Sequence, residues 1–224
     1  MNKTLSFIRL DFITVKPYLT LKNLLIFMGV ALILLIANND VTGVIAILMA
    51  FSALYASYPF AIGEKSNIDI LYATLSIKRN TVVLGRYLFS ITFDILVGFL
   101  AYIFSLIVLT IMQKKFGAIE SLFTILIMFI VFNVIKAIQL PLFFKLGYTK
   151  AKLLAYLPFI VLPSAILIGS NLISDVFSFE LIVSLFKWFA ANFTATVCLG
   201  IVVWLGIMFV SYKISLSLYK KREF

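Results

Sequence analysis

Residues 63–86 read GEKSNIDILYATLSIKRNTVVLGR, the longest polar interval in a chain that otherwise consists of apolar runs of membrane-spanning length. Four apolar residues in this stretch recur at i, i+3, i+4 and i+7, which places them on one face of a helix: Ile68, Leu71, Tyr72 and Leu75. Ser66 lies three residues before Asp69, a spacing similar to a capping box at a helix start. The stretch therefore predicts a short amphipathic helix between two membrane spans.

The apolar face of this short helix needs a surface to pack on. A helix of about two turns is only marginally stable alone in water, and the charged residues on either side make this one too polar to span a membrane: Glu64, Lys65, Lys78 and Arg79. Two interpretations stay open. The helix lies on lipid headgroups or on the chain's own spans, or it docks to a cytosolic partner.

The composition is that of an integral membrane protein. Of 224 residues, 63% are hydrophobic and 12% are charged, whereas soluble proteins average roughly half and a quarter. Six apolar runs can each cross a hydrocarbon core that requires about 20 helical residues; they cover about residues 19–37, 44–62, 87–112, 121–144, 153–173 and 195–212. We predict an all-α, polytopic fold with six transmembrane helices in a single domain, residues 1–224.

Several classes of chemistry are excluded by what the sequence lacks. It contains no histidine, and its one cysteine, Cys198, lies inside an apolar run. Disulfide frameworks, Cys/His metal sites and Ser-His or Cys-His nucleophilic pairs are therefore excluded. No GxxxxGK[ST] motif is present to hold a nucleotide. We expect no catalytic residue, no metal and no cofactor bound by this chain.

The net charge of +10 is not evidence for nucleic-acid binding, because the basic residues follow the membrane topology. Fifteen of the nineteen lie in segments 3–22, 65–86, 145–152 and 213–222, all on one side of the predicted membrane. Three fall on the other side and one lies within a span: Lys114, Lys115, Lys187 and, within the span, Lys136. By the positive-inside rule both termini face the cytoplasm.

Three further segments complete the predicted topology. Residues 1–18 are expected to form an interfacial amphipathic helix that ends near Pro17. Residues 145–152 form a second, shorter inner loop with Gly147 as a helix stop. Residues 174–192 are too long for a turn and too apolar for a solvated loop, which favours an extracellular interfacial or re-entrant helix; an aromatic belt without a further role is the alternative.

One charged pair falls inside the predicted spans. Asp94 in the third and Lys136 in the fourth lie roughly 10 and 12 Å from the inner ends of their helices at 1.5 Å per residue. Opposite charges at one depth on neighbouring antiparallel helices can pair, which predicts a polar lining or a gate. The alternative is that span four ends before Lys136, which then reaches the inner surface as an anchor.

Residues 75–79, LSIKR, followed by residues 82–88, VVLGRYL, resemble the inner loop of bacterial type 2 ATP-binding-cassette export permeases. In that family the segment often reads Leu-Pro-Ile-Ser-Arg with an apolar Gly-Lys-Tyr continuation; here the proline and serine positions are altered. The chain as a whole is similar through its six spans and amphipathic N-terminus. It is most similar to the small permeases of phenol-soluble-modulin-type peptide exporters.

This resemblance implies a permease subunit, not an enzyme, in a bacterial cell membrane. ATP and Mg²⁺ would be bound by a separate cytosolic ATPase, docked on the loop between spans two and three. The residues that the resemblance assigns to this coupling are Glu64, Asp69, Leu71, Tyr72, Leu75, Lys78 and Arg79. A second permease, either another copy or a related chain, would complete the transporter. The implied cargo is an amphipathic or apolar molecule such as a peptide, exported from the cell.

Functions of other classes remain as alternatives. An ion-coupled secondary transporter would use Asp94 as its proton or sodium site, although such folds usually contain internal repeats with a related site in each half. An intramembrane enzyme would need a serine-based mechanism, because histidine and an intramembrane carboxylate pair are lacking. A sensor or assembly subunit without transport activity is the third alternative.

Overall fold

A computed structural model of the chain describes residues 3–38, 42–75, 77–111, 118–161 and 192–222. These residues are helical apart from short connections, and no strand occurs among them, which confirms the all-α prediction for this part of the chain. The helices are α1 (Lys3–Val15), α2 (Leu21–Asn38), α3 (Thr42–Tyr55), α4 (Tyr58–Lys65), α5 (Ile68–Thr74), α6 (Arg79–Ile111), α7 (Ala118–Leu146), α8 (148–161) and α9 (Phe193–Lys220).

Four segments among the described residues are long and apolar enough to cross a membrane: Thr42–Lys65, Arg79–Val108, Thr124–Leu146 and Thr194–Lys220. A fifth candidate is the pair formed by α1 and α2, whose axes meet at an angle of 79°. The predicted span over 153–173 begins within α8, and its second half lies outside the described residues, as does the predicted helix over 174–192. A count of six spans therefore stays a prediction.

The second span is interrupted where a proline enters it. α3 ends at Tyr55, the backbone turns at Ala56 and Ser57, and α4 begins at Tyr58 with Pro59 in its first turn. Proline fits the first turn of a helix because its missing N–H would have no intrahelical acceptor there. The kink expected from Pro59 is thus present as a break between two helices.

The loop predicted over residues 63–86 is shorter in the structure, because its two ends belong to helices α4 and α6. Ser66 is the C-cap of α4 rather than the cap of α5, so the predicted capping box is not formed. Asn67, with φ of +50°, makes the reversal between the two helices, a conformation that asparagine tolerates better than most residues. Ile77 and Lys78 then lead into α6.

α6 is the central helix of the described bundle, in contact with α1, α3, α7 and α9. One cluster of buried apolar side chains joins α3, α6 and α7, with Met49, Phe89 and Ile135 among its members. A second cluster lies towards α5 and includes Val83 and Tyr219. We refer to the end of the bundle that carries α5, the start of α6 and the end of α9 as the α5 end.

α1 lies against α6 with one polar residue on its buried side. Phe7, Asp11 and Val15, spaced by four residues, are buried, while Leu5 and Ile13 are each 61% exposed. A helix with exposed apolar residues opposite a protein contact suits a position between the bundle and lipid. The prediction of an interfacial helix did not anticipate that Asp11 would face the bundle.

We expect Gly85→Ala to destabilise the protein, because a Cβ at Gly85 on α6 would lie only 2.9 Å from the Cβ of Phe7 on α1. Overpacking of this kind costs about 1–3 kcal/mol, so thermal unfolding in a fixed detergent should occur several degrees lower. Gly29→Ala is the control, since a Cβ there meets nothing within 4 Å. Equal thermal stability of the two variants would contradict the close contact between α1 and α6.

Candidate functional site

A buried polar cluster links α3, α6 and α7 inside the bundle. The Lys136 ammonium and the Ser52 hydroxyl both contact Oδ1 of Asp94, and Lys136 Nζ also donates to Ser52 Oγ at 3.2 Å. Asn133 Nδ2 donates to Oδ2 of Asp94 at 3.0 Å. All four residues have zero exposed fraction. The two charges that the sequence placed at one depth are therefore in direct contact.

Lys136 does not reach the surface. α7 continues past it to Leu146, and the ammonium is enclosed by α3 and α6 rather than extended along the helix. A charge at the centre of a membrane helix costs about 2.5–3.5 kcal/mol when unpaired. The contacts with Asp94 and Ser52 offset this cost and hold three helices at a fixed relative position.

A second polar chain compensates for Pro141 within α7. Proline lacks an N–H, so the carbonyl four residues earlier, that of Ala137, loses its intrahelical donor. Ser211 of α9 donates its hydroxyl to this carbonyl at 2.7 Å. The hydroxyl of Tyr87 on α6 lies 2.6 Å from Ser211 Oγ and 2.8 Å from Ser215 Oγ. Three helices thus share one set of hydrogen bonds.

The predicted inner loop over 145–152 is reduced to a single non-helical residue. Gly147 has φ of +78°, and helix resumes at the next residue as α8. Glu64 at the end of α4 accepts the Thr149 N–H at 3.1 Å, a favourable position for a carboxylate at a helix start. Gln139 donates to the Ala155 carbonyl at 2.8 Å and joins α7 to α8. Glu64, predicted as a coupling residue, therefore connects α4 to α8.

Asp11 and Arg86 form a second buried ion pair, between α1 and α6. Arg86 Nε lies 3.4 Å from Asp11 Oδ2, and both residues are at most 5% exposed. The guanidinium also lies 4.8 Å from the ring centroid of Phe60 on α4. Arg86, the last residue of the predicted loop over 63–86, is a buried link between α1, α4 and α6.

The end of α9 is held by residues of α5 and α6. Tyr219 Oη donates to Asp69 Oδ1 at 2.9 Å, and Arg222 Nη1 lies 3.5 Å from Asp69 Oδ2. Arg79 Nη1 donates to the Tyr219 carbonyl at 2.9 Å and also contacts the carbonyl of Lys220. We call Asp69, Arg79, Tyr219 and Arg222 the α9 clasp. Two of the predicted coupling residues, Asp69 and Arg79, belong to it.

The predicted apolar face of α5 is divided between the bundle and the surface. Tyr72 is buried, with its ring 4.8 Å from that of Phe7, and burial raises the pKa of its hydroxyl. Ile68 is partly buried in the same cluster. Leu71 and Leu75 are 52% and 62% exposed. Of the two interpretations of this face, packing on the chain itself thus applies to Tyr72, because α1 covers that side of α5.

Lys78 is exposed beside α5, and Ile70, which is not part of the predicted apolar face, is 49% exposed. The surface that α5 presents therefore consists of Ile70, Leu71 and Leu75 with Lys78 at its edge. No group of three histidine, cysteine, aspartate or glutamate residues that could hold a metal occurs in the described ranges.

Several site residues were not found from the sequence. The Ser52 and Ser211 hydroxyls have no periodic signal in apolar runs, although Pro141 does indicate that a neighbouring helix must supply a donor to Ala137. Tyr219 lies beyond the last predicted span, which covers residues 195–212. The position of Asp11, four residues from Phe7 and Val15, was a possible signal for a buried charge.

Comparison with known families identifies the class of protein. A family model described as ABC-2 family transporter protein matches residues 6–220. The match covers nearly the whole chain, so the chain belongs to the ABC-2 family of transporter proteins. This family provides the membrane component of transporters and generally works with a cytosolic ATPase subunit. No curated protein and no solved structure matches the chain at a significant level.

We expect strong coupling between Asp94 and Lys136 in a double-mutant cycle. Removing one partner of a buried pair leaves an uncompensated charge, at a cost of about 3–5 kcal/mol, so Asp94→Asn and Lys136→Met should each lower thermal stability strongly. The double variant should lose less than the sum of the two. Lys213→Met, at an exposed position of α9, is the control for removal of a lysine. Additive losses measured by thermal unfolding would show that the pair contributes no coupling.

Proposed function

We propose that this chain is the permease subunit of an ATP-driven exporter in a bacterial cell membrane. The observation that carries the proposal is the family match over residues 6–220, together with exposed apolar side chains on a short helix between two spans. The chain would supply the membrane pathway, and a separate cytosolic ATPase would bind ATP and Mg²⁺. Two permeases, identical or related, and two ATPases would form the working transporter.

The proposed docking surface for the ATPase is the exposed side of α5. Ile70 and Leu71 on α5 and Leu75 directly after it are each about half exposed or more, and three exposed apolar side chains so close together are costly in water. The opposite side of α5 is anchored by Tyr72 and Asp69. An exposed apolar surface on an anchored support is typical of a protein interaction site.

The proposed orientation places the α5 end of the bundle in the cytoplasm. Segments of the chain rich in lysine and arginine meet there, since Arg222 contacts Asp69, Arg79 contacts the end of α9, and α8 begins beside Glu64. The positive-inside rule assigns such an end to the cytoplasmic side. Both termini would then lie on the same side as the ATPase.

The proposed cargo is an amphipathic or apolar molecule, with a peptide as the leading candidate. An open groove with a volume of about 490 Å³ runs between α7 and α9, and Ser211 is the one polar residue among the described residues that line it. Gly206 and Ala137 leave the groove wide because they carry little side chain. Its lining would favour hydrophobic side chains over ions or sugars.

The arrangement around Asp94 favours this proposal over an ion-coupled secondary transporter. Lys136 neutralises the carboxylate, and Ser52 and Asn133 occupy its oxygens, so an incoming cation would have to displace an internal one. The cost of leaving Lys136 unpaired at that depth would oppose each transport cycle.

The docking proposal is tested by Leu71→Asp and Leu75→Asp. A carboxylate in an apolar interface loses its hydration without gaining a partner, so each variant should retain less than a tenth of the ATPase that co-purifies with the wild-type permease. Lys152→Asp, also at an exposed position near the α5 end, is the control for an added acidic residue and should retain the partner. The candidate partner is the cytosolic ATP-binding-cassette ATPase expressed with the permease.

Undiminished co-purification by the two leucine variants would contradict docking on α5.

The same purified complex tests the cargo, because transport substrates stimulate ATP hydrolysis when hydrolysis and transport are coupled. An amphipathic helical peptide of alternating leucine and lysine patches should raise the hydrolysis rate several-fold. A peptide of the same composition with the two residue types evenly mixed should not, and equal stimulation by both would argue against an amphipathic cargo.

The proposed orientation is tested with single cysteines in a Cys198→Ala background, because Cys198 is exposed. Ser66 and Thr194 are both exposed and lie near opposite ends of the bundle. On intact cells an impermeant maleimide should label Thr194→Cys, and it should label Ser66→Cys only after permeabilisation. Labelling of Ser66→Cys from outside would reverse the topology.

A further inference from the structure

The groove between α7 and α9 has the length of one membrane leaflet. Residues 193–212 of α9 contain no charged residue, and at 1.5 Å per residue they match a hydrocarbon core of roughly 30 Å. The edge of the core at the α5 end therefore lies near Lys213. On α9 the lining runs from Val203 to Ile214, a distance of roughly 16 Å along the helix. The groove thus reaches from that edge to the middle of the membrane.

The lining of the groove suits hydrocarbon rather than water. Ser211, the one polar residue among the described lining residues, already donates its hydroxyl to the Ala137 carbonyl. Water is retained in a cavity only where several polar groups can bind it, and an empty groove would lose van der Waals contacts along its length. At Gly206 a Cβ would meet nothing within 4 Å, which leaves room for an occupant. An acyl chain of the adjacent leaflet has the shape and the chemistry to fill it.

Two exposed lysines follow the groove on the lined sides of its helices. Lys145 comes seven residues after Ile138 of the lining, and Lys221 comes seven residues after Ile214. Seven residues are close to two helical turns, and Lys221, the C-cap of α9, keeps helical backbone angles. Neither lysine has an ion-pair partner within the part of the chain that the structure describes. Two positive charges therefore lie where the groove ends towards the α5 end.

Both lysines lie within reach of the lipid headgroups. The hydrogen bond from Ser211 to the Ala137 carbonyl places these two positions of α9 and α7 at one height. On that scale Lys145 lies roughly 9 Å and Lys221 roughly 12 Å beyond Lys213 along the helix axes. Headgroups extend about 5–7 Å beyond the hydrocarbon core. Side chains on a helix lean towards its N-terminus, here back towards the membrane, so both ammonium groups can reach a phosphate at that height.

We propose that the groove between α7 and α9 binds an anionic phospholipid, with one acyl chain in the groove and the phosphate between Lys145 and Lys221. A lysine beside an anionic headgroup contributes roughly fivefold to affinity, so the pair selects an anionic lipid over a zwitterionic one. The apolar lining selects a lipid over a free anion. The inference goes beyond the proposed function and depends on neither the ATPase nor a cargo. A cargo that enters the groove has to displace this lipid.

The headgroup preference is tested by native mass spectrometry of the full-length permease. The protein is mixed in detergent with equal amounts of phosphatidylglycerol and phosphatidylcholine that carry identical acyl chains. The wild type should retain at least about fivefold more phosphatidylglycerol, and Lys145→Gln combined with Lys221→Gln should reduce this excess to less than about twofold. Lys16→Gln combined with Lys22→Gln is the matched control and should keep the excess, because these exposed lysines lie at the start of α2, which packs on α3.

The position of the acyl chain is tested by Gly206→Phe, which places a ring in the groove. Gly29→Phe is the matched control, because a Cβ at either glycine meets nothing within 4 Å. Phosphatidylglycerol with a diazirine in one acyl chain should label peptides of α7 and α9 on irradiation of the wild type and of Gly29→Phe. Gly206→Phe should lose more than half of this labelling. The lysine variants change exposed positions only, so the headgroup test stands even if Gly206→Phe does not fold.

Equal retention of the two lipids by the wild type would overturn the proposal, as would an unchanged preference in the paired lysine variant. Undiminished labelling of Gly206→Phe, or labelling spread evenly over all spans, would show that lipid only surrounds the protein. Displacement of the lipid by inorganic phosphate would show that the lysines bind phosphate without the groove. A permease dimer that retains no lipid would assign the groove to a second copy. None of these results bears on whether the permease binds an ATPase, which the leucine variants of α5 test separately.

Discussion

The contact between Lys136 and Asp94 is the constraint on which the rest of the bundle depends. A lysine at that depth on α7 has no route to water, so α3 and α6 must present acceptors to it. Ser52 and Asp94 provide them, and this requirement fixes the depth and rotation of three helices relative to one another. Apolar packing alone would leave these helices free to slide, because lipid is as apolar as their own side chains.

The remaining helices are attached to this core by polar contacts nearer the α5 end. Asp11 brings α1 to Arg86 of α6, and Glu64 brings α4 to the start of α8. Ser211 attaches α9 at the carbonyl that Pro141 leaves without a donor. The proline that weakens α7 therefore creates the acceptor that holds α9, so a defect in one helix specifies the position of another.

Composition and the spacing of apolar runs were sufficient to predict helices, four of the candidate membrane spans and the short helix α5, because those depend on local periodicity. The depth of Asp94 and Lys136 in the membrane could also be predicted, because the helical rise per residue converts sequence position into distance along the helix axis. The sides of α1 and α5 that face the bundle could not be predicted, because each helix has apolar residues on more than one side. The covered side of α1 depends on Arg86, a residue many positions away whose burial no local pattern indicates, and the covered side of α5 depends on Phe7 of α1.

α5 has a side that contacts the bundle and a side that is exposed. Tyr72 and Asp69 connect α5 to α1 and α9, while Leu71 and Leu75 remain open to a partner. Asp69 holds the end of α9 through Tyr219 and Arg222, whereas the buried cluster around Lys136 joins α3, α6 and α7. The positions of the few polar residues thus decide which helices of the bundle are joined to one another.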